Sequence, residues 1–147
     1  MSTHQVHVFI SHSWAYSGVY EKLAEWVFTP NWSFGQASVN FFNFSVPKDD
    51  PIHNAPNDKQ LREAITNQIK RSHVVVIPTG LYATHSKWIN IEVEIAQAYN
   101  KPILAVDPWG QQRTAAVVTN AASARVGWNK DPFVKAIWDL YYHGLVA

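Results

Sequence analysis

Apolar positions along this chain follow two alternating rhythms. Short β-branched runs read as strands, and between them apolar residues recur every three or four positions as in amphipathic helices. "VHVFIS" (Val6 to Ser11) is the first predicted strand. In the stretch Ser13 to Phe28 that follows, Val19, Leu23, Trp26 and Val27 share one helical face, and Ser13 is placed to cap it. The turn-rich "TPNWSFGQ" leads to a second strand, Ser38 to Ser45, and then to a polar loop punctuated by proline, "VPKDDPIHNAPN". A helix from Asp58 to Ser72 carries Leu61, Ala64, Ile65 and Ile69 on one side. "HVVVIP" (His73 to Pro78) is apolar almost throughout, as expected of a parallel strand covered on both faces. A helix from Ser86 to Asn100, a strand from Pro102 to Asp107, an irregular segment from Pro108 to Ser123, a short strand in "ARVGW" and a last helix from about Asp131 to Tyr142 complete the series.

Five strands separated by helices or long connections predict the α/β class. The expected architecture is a single domain over residues 1–147, an open flavodoxin-like, five-stranded parallel sheet with helices on both faces. Ligands of such sheets bind outside the carboxyl ends of the strands. Attention therefore falls on Ser11 to Trp14, Ser45 to Asn57, Thr79 to Lys87 and Asp107 to Gln112.

The helix "SKWINIEVEIAQAYN" contains two glutamates that differ in position. At about 100° per residue, Glu92 falls among Trp88, Ile89, Ile95, Ala96 and Tyr99, whereas Glu94 falls among Lys87, Asn90 and Gln97. Glu94 is an ordinary solvent-facing charge. Glu92 lies near the centre of the face that should be buried, where an unpaired carboxylate either costs several kcal/mol or takes up a proton.

Composition narrows the chemistry. The chain has 147 residues, 47% hydrophobic and 16% charged, which suits a folded domain with a core of its own. A net charge of +1 leaves no basic footprint for nucleic acid. No cysteine is present, so disulfides, thiolate catalysis and cysteine-bound zinc are excluded. The N-terminus lacks a leader pattern, and no stretch approaches the roughly 18 apolar residues of a membrane span, so a soluble cytoplasmic protein is expected. Phosphate loops, dinucleotide fingerprints and the serine-hydrolase elbow are all missing, and the seven histidines are dispersed without ligand spacing, so no metal is expected.

Three groups of residues remain. In "SHSW", Ser11, His12 and Ser13 together with a following helix start suit an anion, or simply cap a helix beside an exposed histidine. In "FNFSVPKDDP", Ser45, Asp49 and Asp50 project near strand ends, or serve only as turn residues. Glu92 is either paired with a buried donor or stands in a cleft walled by Trp88, where a carboxylate binds ribose hydroxyls and stabilises positive charge on an anomeric carbon.

Taken in order, "VFISHS", the long loop after the second strand and "SKWINIEVEIA" after "VVVIP" resemble the Toll/interleukin-1 receptor (TIR) domain superfamily. Trp88 and Glu92 stand four apart, as in its S-x-W-C-x-x-E-L pattern, while Ile89 replaces the usual cysteine and Asn43 stands where relatives often have Asp. "KPILAVDPWGQ" and "ARVGWN" are similar to the bacterial TIR-like proteins of Thoeris anti-phage defence. The resemblance implies an NAD⁺-consuming enzyme with NAD⁺ as substrate and no separate cofactor. Glu92 would be the catalytic residue, and Ser11, His12, Ser45, Asp50 and Trp88 would frame the nucleotide. It further implies a homo-oligomer when active, and a diffusible ADP-ribose-derived messenger that reaches a separate effector protein. The competing expectation is a non-catalytic TIR-type module acting by assembly.

Overall fold

The structure is a computed structural model that describes residues 2–11, 17–45, 58–79, 82–107 and 116–146, with side-chain surroundings for all of these but a few at segment ends. Its centre is one six-stranded sheet in the order β2-β3-β1-β4-β5-β6. The strands are β1 (Ser2–Ile10), β2 (Trp32–Phe34), β3 (Ala37–Asn43), β4 (Val74–Pro78), β5 (Ile103–Val106) and β6 (Ala124–Val126). The five expected parallel strands are β3, β1, β4, β5 and β6, and the sixth, β2, is a short antiparallel edge. β2 lies inside the turn-rich segment "TPNWSFGQ", where the sequence pattern predicts no strand. Phe34 pairs with Ala37, so only Gly35 and Gln36 turn the chain, and Gly35 takes a φ of 63° that glycine adopts without strain.

Helices cover both faces: α1 (Ser17–Phe28) and α5 (Lys130–Val146) on one, α2 (Asp58–Ile69), α3 (Tyr82–Ala98) and α4 (Ala116–Ala121) on the other. The first face buries Val19, Leu23 and Val27 of α1 and Phe133, Val134, Ile137 and Trp138 of α5 on Val6, Val8, Ile10, Val76 and Leu104. On the second, Ile65 and Ile69 of α2 and Ile89, Ile91, Val93, Ile95 and Ala96 of α3 bury against Phe9, Val75, Ile77, Ile103 and Ala105. β1, β4 and β5 feed both cores because successive side chains alternate in direction. β4 and β5 are buried at every position, as unbroken apolar runs require.

Several boundaries differ from expectation. Residues 116–121, placed in an irregular segment, form α4, and α5 runs to Val146 rather than stopping near Tyr142. Helix α3 begins four residues before Ser86 and ends two before Asn100. Asn100 takes a left-handed φ of 56°, its N–H donates to the Gln97 carbonyl, and the Lys101 N–H donates to the Ala96 carbonyl, a Schellman closure. Tyr99 is therefore beyond the helix and 46% exposed, not on its apolar face. The proposed cap Ser13 lies outside the described residues. No described helix is long and apolar enough to cross a membrane.

Candidate functional site

Strand order fixes where a site belongs. β1 is followed in sequence by strands on one side of it, β4 by strands on the other, so the topological switch point lies between their carboxyl ends. Ser11 immediately follows β1, and its N–H donates to the Val76 carbonyl of β4. Ser11 has the facing parity of Phe9, Thr79 that of Ile77, and Asp107 that of Ala105. These three polar side chains thus crown the sheet face that α3 covers.

Helix α3 presents Glu92 to this crown. Glu92 has no exposed surface and is one of the largest fully buried side chains. Trp88, one turn earlier and half-buried, donates its indole N–H to Glu92 Oε2 at 2.6 Å. No cation pairs with Glu92 among the described residues, and its described partner is the Trp88 indole donor. Oε1 is buried and makes no standard hydrogen bond there. Burial pushes the carboxyl up from 4.5 to about 8, against the smaller opposing pulls of the Ser11 hydroxyl and the Trp88 indole. At neutral pH the resting side chain is therefore mostly the neutral acid. Glu94, the control, lies in the exposed stripe with Lys87, Asn90 and Gln97 and meets Arg62 at 3.2 Å.

Ser45 is buried on the far side of β1 from β4. Its hydroxyl accepts the Ile10 N–H at 2.9 Å, one residue before Ser11, and its own N–H donates to Asn43 Oδ1, whose amide nitrogen donates to the Tyr20 hydroxyl. Ser11, Trp88, Glu92 and Ser45 thus gather around the carboxyl end of β1. His12, Asp49 and Asp50 lie outside the described residues. Sequence reasoning overlooked a second network along the strand ends. Thr79 donates to Asp107 Oδ1 at 2.7 Å, and Arg125 Nε donates to Asp107 Oδ2 at 2.7 Å. The rule that ligands collect at carboxyl ends already pointed to Thr79 and Asp107. Arg125 had no such signal, because its strand is three residues long.

A concavity of about 330 Å³ lies at the opposite end of the sheet, lined by Gln5, His73, Lys101, Leu140 and Tyr141 among others. Burial, with His7 and Lys101 nearby, lowers the His73 pKa. Among the described residues no carboxylate lines it, whereas the fully buried Glu92 lies at the carboxyl end. No group of three potential metal ligands occurs among the described residues.

The family model for the Thoeris protein ThsB, TIR-like domain, matches residues 9–113. The chain belongs to this Thoeris TIR-like family. The match runs from the end of β1 through β5, and so contains Ser11, Ser45, Trp88 and Glu92. Among solved structures, the Clostridium botulinum CMP N-glycosidase BcmB is similar in fold. The two share 16% identity over 92% of this chain and 98% of that one, with a TM-score of 0.50. No curated protein matches the chain. The TIR-like relationship and the flavodoxin-like order of the five parallel strands agree, since β3-β1-β4-β5-β6 is the 2-1-3-4-5 arrangement with one antiparallel strand added at its edge.

Proposed function

We propose that this Thoeris-family chain is an enzyme that cleaves the nicotinamide–ribose bond of NAD⁺. It would pass the ADP-ribosyl group into a cyclic or conjugated messenger that acts on a separate effector in anti-phage defence. The observation that carries the reading is Glu92, a carboxyl fully enclosed at the switch point with no cation beside it among the described residues, held at Oε2 by Trp88, with Oε1 buried and making no standard hydrogen bond. A scaffold gains nothing from such a group. A glycoside-cleaving site needs a fixed carboxylate beside the anomeric carbon, where positive charge grows as the leaving group departs.

The raised proton affinity fits this role once substrate is considered. NAD⁺ brings a cationic pyridinium to the carboxyl, and a positive charge within a few ångströms favours the ionised form. Binding therefore drives the proton from Glu92, and the resulting carboxylate faces the ribose through Oε1. Trp88 keeps Oε2 in place. Nicotinamide leaves as a neutral molecule, so no strong general acid is required. The ADP-ribosyl cation is then captured by water, an adenine nitrogen or another nucleophile, and exclusion of water favours the last two. Because Glu92 has no exposed surface, substrate entry must part the groups enclosing it, and assembly into a homo-oligomer is the proposed occasion.

A second reading takes its support from the similar fold named as a CMP N-glycosidase, which makes a pyrimidine nucleotide an alternative N-glycoside substrate. Purified protein incubated separately with NAD⁺ and CMP, with products resolved by chromatography and mass, decides between them. Nicotinamide release by wild type, its loss in Glu92→Ala and its retention in Glu94→Ala are expected. Cytosine release without nicotinamide release favours the second reading, and no release from either sinks the enzyme reading. Equal loss in both glutamate variants would remove Glu92 from its assigned role.

A further inference from the structure

Arg125 is the only lysine or arginine carried by any described strand. It pairs with Ala105 across the β5–β6 ladder, so it shares the sheet face of Thr79, Asp107 and Ser11. Asp107 engages its Nε at 2.7 Å, and the other oxygen of the same carboxylate is held by the hydroxyl of the buried Thr79. The guanidinium is thus anchored at its inner nitrogen. Its two terminal nitrogens bond to no described residue, and the side chain remains 47% exposed. An ion pair this exposed contributes little to stability. What the arrangement does provide is an oriented pair of N–H donors facing solvent at the strand ends, suited to bidentate contact with phosphate oxygens.

The spacing suits a nucleotide. Neighbouring strands lie about 4.8 Å apart, so the three steps from β1 to β6 place the Arg125 backbone about 14 Å from Ser11, and the side chain shortens the remaining gap. A nucleoside diphosphate sugar whose anomeric carbon rests at Glu92 carries its phosphates one ribose further along. The row Ser11, Thr79, Asp107, Arg125 leads away from the Glu92 end on one face, so a nucleotide lying along it would bring its phosphates towards Arg125. We infer that Arg125 is a substrate-binding residue that holds the diphosphate of the nucleotide, with Asp107 and Thr79 positioning its guanidinium.

This inference rests on the reading of Glu92 as the ribose-facing group, and binding separates the two. ADP-ribose and nicotinamide riboside, which lacks phosphate esters beyond its ribose, are titrated calorimetrically into the inactive Glu92→Gln protein with and without Arg125→Gln. Removing charge-assisted hydrogen bonds to phosphate should weaken ADP-ribose about tenfold or more, and leave the riboside unchanged. In the active protein Arg125→Gln should raise KM for NAD⁺ by a similar factor, with kcat held within about threefold. Equal affinity for ADP-ribose with and without Arg125 overturns the inference, as does equal loss for both ligands, which is the signature of a general structural role. Should Arg125→Gln not fold, Arg125→Lys keeps the charge but removes the fork, and must still lower the preference for ADP-ribose over the riboside. Failure of wild type to release nicotinamide overturns the NAD⁺ reading alone, since the dependence of ADP-ribose binding on Arg125 is measured without turnover.

Discussion

Replacing Glu92 with glutamine tests the site without any substrate. Burial holds the native carboxyl at about 8 against an ordinary 4.5, so between those values the unfolded chain gives up a proton that the folded chain keeps. The native state binds more protons in this window, and stability must fall as pH rises through it. Below 4.5 both states hold the proton and the cost vanishes; above 8 it is complete. From the two values, the cost is about 1 kcal/mol at pH 5 and about 4 kcal/mol at pH 8. Glutamine has nearly the same shape and does not ionise, so whatever it gains or loses in contacts is independent of pH. Stability of Glu92→Gln minus that of wild type should therefore rise by about 3–4 kcal/mol from pH 5 to pH 8.

Urea unfolding followed by tryptophan fluorescence measures this difference, with seven indoles providing the signal and equal slopes against denaturant required of both proteins. Other titrating groups are common to the two chains and cancel. Two curves of stability against pH that stay parallel within about 0.5 kcal/mol would mean that Glu92 ionises normally in the folded chain, and the account of its burial would be wrong.

Two further changes probe the neighbours of that carboxyl. Trp88→Phe removes an N–H donor that favours the charged form, so the Glu92 titration followed by carbon-13 NMR, and the rising limb of any pH–rate profile, should move to higher pH; no movement would mean that the 2.6 Å contact has no influence on ionisation. Ser45→Ala leaves the buried Ile10 N–H without its acceptor and should cost about 1–3 kcal/mol in urea unfolding, whereas an unchanged midpoint would show that the hydroxyl is dispensable to the end of β1.

How much was readable in advance depended on how far apart the interacting residues lie in sequence. The buried runs of β4 and β5 and the two faces of α3 repeat at the period of a single element, so the contrast between Glu92 and Glu94 was visible from spacing. Trp88 and Glu92 are one helical turn apart, and their contact is local as well. β2 and β6 were harder, being three residues each: β2 lay within a turn-rich segment, and β6 was only a short strand in "ARVGW". Tyr99 was misplaced because a wheel does not record where Asn100 turns the chain out of the helix. The Thr79–Asp107–Arg125 network spans separations of 28 and 18 residues, and only the order of strands in the sheet brings those side chains together.

Glu92 stands apart from the rest of α3. Every neighbour on its face follows the rule that a helix against a sheet buries apolar side chains, and the surrounding core would accept leucine or methionine there with no charge to enclose. A glutamate at this point conflicts with the pattern that forms the helix. Trp88 and Ser11 relieve the conflict only in part, since both favour the ionised form and burial still outweighs them. Their contacts are thus directed to a carboxylate that the resting protein scarcely contains. Near neutral pH that state would become dominant on entry of the cationic substrate proposed above, and Trp88 and Ser11 would then be contacts made ready for the occupied site.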